Sequence, residues 1–345
     1  QPSGGDPMSR EPLVSIVTPC YNGAAYVDRF FETVMDQTWP HIELIFVDDG
    51  STDDTLAKAG AWRERLEARG ITFKLLTHPN GGQASAINVG LPHVTGKYVM
   101  WPDSDDLMDP KNVELKARYL EGHPEKGLVV CDVACVDEDD LGSVVRCSVF
   151  DDSSYRLFDA LIREEKGAFC SGIAYLARAD ALFDAIGGTR IYESRSGQNW
   201  QLLFPLTYHY DCGFIHELLS TYVVRSKSHS HSYISLEDQM RRTYELEDII
   251  LHVLPAMGME KCDFEKYMGY ARVKYLPMRF DIAVKMGDKD LARDLKARLD
   301  AAEGRSVRRD LVMAACEMGL APMVFSLGRR VKGTARRAKA IVKGK

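Results

Sequence analysis

No apolar run in this 345-residue chain reaches the roughly 20 residues needed to span a bilayer, and no basic region followed by an apolar stretch opens it. Export or threading through a membrane is therefore not expected, and a cytoplasmic setting is. A dense cysteine framework is also missing. The eight cysteines stand at irregular positions in a chain far larger than the small secreted domains that depend on disulfides. Cys131 and Cys135 lie close together, but no second Cys/His pair of matching spacing accompanies them, so they read as small apolar strand residues rather than zinc ligands. No repeat of 20 to 50 residues is apparent either, which argues against a solenoid.

What is present is the composition of an ordinary globular protein, 45% hydrophobic and 27% charged with both signs mixed, in a chain long enough for about two domains. The net charge of -6 hides an asymmetry, because Arg329 to Lys345 hold many Lys and Arg and no Asp or Glu. The rest of the chain is thus more acidic than the total implies. An acidic body makes nucleic acid an unsuitable partner and confines attraction for phosphate-rich groups to one pocket or to the tail. Within the tail, Val324, Leu327, Val331, Ala335, Ala338 and Val342 form a narrow apolar stripe at helical spacing, with basic residues on the other faces. Residues 324–345 are expected either to lie on an anionic membrane surface, at the inner face of the cell membrane, or to be a solvated basic tail. Gln1 to Pro7, rich in Gly and Pro and ahead of the first Met, reads as an appended leader, so residues 1–12 are set aside as leader and lead-in.

From Leu13 to about Met100, short β-rich apolar runs alternate with helical stretches, the pattern of a parallel α/β sheet. The runs are Val14 to Thr18, Ile42 to Val47, Thr72 to Leu76 and Tyr98 to Trp101. Helices are expected at Ala25 to Gln37, Thr52 to Ala68 and Gln83 to Val89. After about Ser228 the strand signal fades, and Leu246, Ile249, Ile250, Val253 and Leu254 take helical spacing. The division that follows is an α/β domain over 13–228 and a helical region over 229–345 that ends in the basic amphipathic tail.

In parallel α/β sheets ligands bind beyond the carboxyl ends of the strands, and here each such end is unusually polar. The ends read Pro19-Cys20-Tyr21-Asn22, Asp48-Asp49-Gly50-Ser51, Asn80-Gly81-Gly82-Gln83 and Asp103-Ser104-Asp105-Asp106. Asp103, Asp105 and Asp106 form a cluster that resists full ionisation unless a cation neutralises it, and a hard divalent ion such as Mg²⁺ or Mn²⁺ would do so while keeping positions open for diphosphate oxygens. A solvated, helix-capping turn is the plainer alternative. Asp49 can accept hydrogen bonds from a base edge, with Gly50 allowing close approach, or the stretch can simply cap a helix. Asn80 to Gln83 leave free amides at a helix start. Tyr21 offers a flat face to a nucleobase or to the core.

These four segments, in this order and spacing over roughly residues 13 to 110, resemble the family 2 glycosyltransferases. The resemblance implies a glycosyltransferase A fold with a mainly parallel twisted sheet, transfer from a nucleotide-diphosphate sugar, a UDP-sugar first among them, and inversion at the anomeric carbon. It implies a Mn²⁺ or Mg²⁺ cofactor and a glycan or glycolipid acceptor. Carried over by position, Pro19, Tyr21, Asn22, Asp49, Asn80, Gln83 and Asp103 would contact the donor. Asp103 and Asp105 would form the family's paired-carboxylate motif on the metal. A metal clamp of this kind stabilises the charge that develops on the diphosphate leaving group.

The chain departs from the family where an acidic pair is expected to open a later helix and supply the general base. Gln198 and Asn199 stand there instead, and neutral amides cannot take a proton. Glu193, or else a carboxylate from elsewhere that folds into the pocket, is expected to supply the base, with Gln198, Asn199 and Trp200 binding the acceptor. His229 or His231, in Ser-His-Ser-His after the run Leu218 to Val224, is expected to complete the metal site. Two rivals remain: a non-catalytic nucleotide-sugar binder, and a nucleotidyltransferase, which would require a basic triphosphate loop after the first strand, where this chain has no Lys.

Overall fold

The computed structural model describes residues 11–148, 156–165, 168, 170–195, 197–225 and 234–320. The chain divides into two compact units, one made of residues 1–228 with 252–258, the other of 229–251 with 259–345.

The first unit begins with β1 (Val14–Cys20), α1 (Val27–Met35), β2 (Ile42–Asp48), α2 (Thr55–Ala61), α3 (Arg63–Ala68), β3 (Thr72–Thr77), α4 (Gln83–Gly90) and β4 (Tyr98–Met100). There follow β5 (Leu107–Met108), α5 (Asn112–Gly122), β6 (Leu128–Asp137), β7 (Asp140–Ser148), α6 (Leu157–Arg163), β8 (Tyr175–Arg178), α7 (Ala179–Ala185), α8 (Gln198–His209) and β9 (Cys212–Val224). The sheet order is β3-β2-β1-β4-β8-β6-β9-β5, with β7 paired to β6. The strands β3, β2, β1 and β4 run parallel, as does β6 with β9, while β8 joins β4 and β6 antiparallel.

β1 and β2 are buried along their whole length, which explains why their sequences are mostly apolar rather than alternating. α1 covers one face with Val27, Phe30, Phe31 and Val34, the spacing of a single helical stripe. The helix expected over Thr52 to Ala68 is divided at Trp62, whose ring stacks on Phe31 at 5.5 Å while its Nε1 donates to Asp28 at 2.8 Å. That anchoring to α1 sets the break between α2 and α3. Cys131 and Cys135 are fully buried in β6.

Register brings the strand ends together. Cys20 pairs with Asp48 and Asp48 with Thr77, while Met100 lies beside Ile16, so the loops after β1, β2, β3 and β4 emerge along one edge. At the opposite edge Glu43 ties the strand starts. It accepts from Ser15 Oγ at 2.5 Å, Thr95 N at 2.6 Å, Gly96 N at 3.1 Å and Lys74 Nζ at 3.1 Å.

In the second unit α9 (Leu236–Ala256), which runs on into the first unit from His252, is followed by α10 (Lys261–Lys274), α11 (Leu276–Met286), α12 (Lys289–Glu303) and α13 (Val307–Glu317). Phe280, Val284, Leu295, Leu299 and Val312 belong to its core. Arg279 is wholly enclosed, with Nη1 2.8 Å from Glu247 Oε2 and Nε donating to Thr243 Oγ1 at 2.8 Å. Pairing of this kind makes a buried guanidinium tolerable. Among the described residues no helix is long and apolar enough to cross a membrane. The tail stripe over 324–345 and the pair His229 and His231 lie outside the described residues.

Burial alone would raise the Glu43 carboxyl, but the bonds from Ser15, Thr95 and Lys74 overcome it and hold the group below the usual carboxylate range. A depressed folded pKa contributes stability that is present above the unfolded value near ~4.3 and is lost as pH falls through the folded one. Glu43→Gln is therefore expected to cost about 1–3 kcal/mol at neutral pH, with the gap to wild type narrowing below about pH 4. Urea unfolding between pH 3 and 7 measures this, and a gap independent of pH would show that ionised Glu43 is not what holds the edge.

Candidate active site

The loops along the carboxyl edge are fastened to one another by their own polar side chains. Asn22 adopts a left-handed conformation, φ 48°, and its Oδ1 accepts from Thr52 N at 2.9 Å while its own N–H donates to Ser51 Oγ at 2.9 Å. Asn and Asp tolerate this region better than other side-chain-bearing residues. Gly23 N donates to Thr55 Oγ1 at 2.7 Å, so the loop after β1 is pinned to the one after β2. Pro19 is buried within β1, whereas Tyr21 is 47% exposed and presents its ring at the edge. Cys20 is no nucleophile, because burial pushes its thiol up to about 12.

Asp49 does something that its position in the sequence did not reveal. It is only 3% exposed, and its carboxylate accepts from Gly81 N at 2.9 Å, Gly82 N at 2.9 Å and Asn80 Nδ2 at 3.2 Å, with His78 Nε2 also 3.1 Å away. Its acceptor positions are taken within the protein, so the side chain shapes the 80–82 loop. Gly50, φ +69°, lets that loop approach, since a Cβ there would come within 2.6 Å of Asn80 N. Gly82, φ +90°, meets the backbone of Arg195 so closely that a Cβ would lie 2.5 Å from its Cα. The Arg195 guanidinium in turn donates to Asn80 Oδ1. The 190–195 segment thus closes on the loop after β3, and Asn88 in α4 holds it there through reciprocal bonds to Ile191 of 2.7 and 2.8 Å.

The acidic cluster follows β4. Asp106 is wholly buried, accepting from Val223 N at 3.1 Å and Ser171 Oγ at 3.4 Å. Burial, then the charges of Asp105 and Asp103, push its carboxyl well above the usual range. Asp103 is half-buried and accepts from Gln83 Nε2 and Gln198 Nε2, both at 3.4 Å. Burial first, and the Asp105 charge second, push Asp103 up to about 7. Asp105, also half-buried, is raised by burial, which is offset by Arg225, whose Nη1 lies 2.9 Å from Asp105 Oδ2, and by the charge of Arg29.

Four of the expected donor residues therefore meet in two pairs: Asp103 with Gln83, and Asn80 with Asp49. Gln198 joins them at Asp103. Asn199 accepts from Trp101 Nε1 at 3.0 Å, and Trp200 stacks on Phe204 at 5.6 Å, half-buried in α8. Glu193 is 63% exposed and pairs with Arg190 at 2.7 Å rather than with a residue of the carboxylate cluster. The sequence reading missed Arg225. Its only signal was its place directly after the last strand-like run, and its partner Asp105 is 120 residues away.

Among the described residues no group of three or more His, Cys, Asp or Glu is arranged to hold a metal ion. The donor set nevertheless suits a hard divalent cation. Asp103 and Asp105 offer carboxylate oxygens whose charge burial disfavours, with the Asp105 charge adding to the rise at Asp103, and Mg²⁺ or Mn²⁺ is commonly held by one or two carboxylates with the remaining positions filled by water and phosphate.

The sequence profile of the family described as Glycosyl transferase family 2 matches residues 15–184, the stretch that carries β1 to α7 and the acidic cluster. The chain carries a family 2 glycosyltransferase domain. An uncharacterised glycosyltransferase of Rickettsia prowazekii is 34% identical over 128 residues, 37% of this chain and 38% of that protein. The match thus spans well under half of that relative's length. Among solved structures, the fold is similar to residues 1–349 of Staphylococcus aureus TarS in complex with UDP-GlcNAc, with a TM-score of 0.62 and 18% identity over 90% of this chain and 88% of that one. It is also similar to the mannosyltransferase PcManGT of Pyrobaculum calidifontis in complex with GDP-Man and Mn²⁺, with a TM-score of 0.54 and 18% identity over 94% and 87%. The glycosyltransferase A fold, with a helical region after it, is the fold of this domain.

Gly82→Ala is expected to destabilise the domain by about 1–3 kcal/mol, because the added Cβ is strained at positive φ and meets the Arg195 backbone. Hydrogen exchange at positions 81 and 82, whose amides Asp49 protects, should accelerate. Unchanged protection would mean that the loop is not held in this way.

Proposed function

We propose that the protein transfers a sugar, with inversion, from a UDP-sugar to a hydroxyl of a glycan or glycolipid acceptor, and that it uses Mn²⁺ or Mg²⁺ to do so. The observation that carries this reading is the crowded pair Asp103 and Asp105 at the carboxyl edge of the parallel strands, beside the 80–82 loop. The family profile and the bound ligands of the two solved structures support it, since TarS holds UDP-GlcNAc and PcManGT holds GDP-Man with Mn²⁺.

Each part of the edge has a task in this reading. Tyr21 presents an exposed ring on which a base can stack. The 80–83 segment, shaped by Asp49, turns to the nucleoside, and Asn22 holds the loop after β1 in register with the one after β2. Asp103 and Asp105 would ligate the cation, which when bound supplies positive charge to the departing diphosphate. Gln83 and Gln198 orient Asp103 through their amide N–H groups. Asn199 and Trp200 lie next along α8 and are assigned to the acceptor. Glu193 is assigned as the carboxylate that takes the acceptor proton.

Calorimetry with UDP and a panel of other nucleoside diphosphates, in Mn²⁺, in Mg²⁺ and in chelator, tests the donor assignment. Metal-dependent, base-selective binding is expected, weakened at least tenfold in Asp105→Ala, and absence of binding to every nucleotide would leave the fold standing without this function. The base assignment is separable. Glu193→Gln should retain UDP binding and lose transfer by 10²-fold or more, the range of a lost general base, whereas near-normal transfer would remove Glu193 from the role.

A further inference from the structure

Arg225 is delivered to the acidic cluster by the sheet. β9 runs parallel to β6 out to the pairing of Asp137 with Val224, and Val223 N anchors on Asp106 Oδ1, so Arg225, the residue after Val224, emerges at Asp105. The guanidinium, 16% exposed, is held on three sides. Nη1 is 2.9 Å from Asp105 Oδ2, the Tyr26 ring lies 4.1 Å from the guanidinium carbon, and Nε is 3.8 Å from Glu138 Oε2. Arg29 adds a second positive charge near Asp105, and its own buried Nε has no hydrogen-bond partner among the described residues.

The contact with Asp105 uses one nitrogen, although a guanidinium can offer a carboxylate two parallel bonds. Asp105 is the closest partner, but the Tyr26 face and Glu138 would still hold Arg225 at the site if that one bond were given up. That carboxylate is also one of the two that suit a divalent cation. A guanidinium at 2.9 Å and a divalent ion on the same carboxylate repel each other strongly at this degree of burial. Occupation of one weakens the other.

We infer that Arg225 is a built-in counter-cation that serves two anions in turn: Asp105 while no divalent cation is bound, and the diphosphate of the donor once the cation has taken Asp103 and Asp105. Tyr26 and Glu138 keep the guanidinium at the site through the exchange. The arrangement keeps the acidic cluster folded without metal and presents a phosphate-binding fork only when the metal is in place. The first half stands on the contacts of Arg225 alone, and the second rests on the donor reading proposed above. Arg225 is in this account a competitor of the cation for Asp105 and a binding residue for the diphosphate.

The test compares wild type, Arg225→Met and Arg225→Lys in two calorimetric titrations at one pH and low ionic strength. In the first, Mn²⁺ is added without nucleotide. Arg225→Met should bind it about tenfold more tightly than wild type, and Arg225→Lys, which keeps the charge, should stay within about threefold of wild type. In the second, UDP and uridine are added at saturating Mn²⁺. Arg225→Met should lose about tenfold in UDP affinity with uridine affinity unchanged, and Arg225→Lys should lose less. A structural role would lower both nucleotide affinities together, and that outcome overturns the diphosphate half. Mn²⁺ affinity unchanged or weakened in Arg225→Met overturns the counter-cation half, and if the Met variant does not fold, Arg225→Lys with a UDP affinity equal to wild type overturns the proposal. Wild-type protein that binds Mn²⁺ but not UDP would overturn the donor reading itself, with the Mn²⁺ comparison still deciding the first half.

Discussion

Three carboxylates within four residues, at the end of a buried strand, are the constraint around which the rest of the edge is organised. Asp103, Asp105 and Asp106 have too little water to screen them and sit too close to ionise independently, so each has its own remedy. Asp106 is sealed against a backbone N–H of β9 and the Ser171 hydroxyl. Asp103 receives two side-chain amides. Asp105 receives a guanidinium. Each partner comes from a different part of the chain, so the first unit must close from α4 to β9 before the cluster can be tolerated. The functional edge and the long-range sheet pairings are in this sense one structure.

The same constraint bears on the missing acidic pair at the start of α8. Read from the sequence alone, Gln198 and Asn199 are acceptor contacts that cannot supply the base. In the structure Gln198 Nε2 points to Asp103 Oδ1 at 3.4 Å and Asn199 receives the Trp101 N–H. A glutamate at 198 would set a fourth negative charge against Asp103, whose carboxyl is already raised, and would deepen the repulsion that the amide now relieves. A neutral, N–H-bearing side chain is what this position needs if Asp103 is to serve as an anion. On the reading proposed above, the proton acceptor has to come from a segment that does not load the cluster further, as the 190–195 segment that carries Glu193 would.

Much of this was legible in the sequence, for reasons that can be stated. β1 and β2 are buried on both faces, so their apolar runs stand out from the polar loops that follow, and the parallel register lines those loops up. Position relative to a strand end was therefore a sound guide to the edge. It could not say which way a polar side chain would turn. Asp49 and Asn22 both lie where a ligand contact is expected, yet both are engaged in fastening loops to one another, because a row of strand-end loops must satisfy its own backbone N–H groups before it can hold anything else. Trp62 broke a helix that spacing alone predicted as continuous, since its tie to Asp28 and Phe31 is a tertiary contact with no local signature.

Arg225 is the clearest case of what spacing cannot reach. A single arginine after a strand has no periodicity and belongs to no motif, and it gains meaning only when β9 pairs with β6 in parallel and carries it across 120 residues to Asp105. The pairing is also what makes the contact durable. A surface guanidinium would exchange freely with solvent and contribute little, but this one is enclosed between Tyr26 and Glu138, so its charge is committed to whichever anion lies in front of it. The acidic end of β4 and the basic end of β9 are thus two halves of one electrostatic device. Each half offsets the charge of the other at this edge, and it is the sheet, rather than either sequence segment, that brings them together.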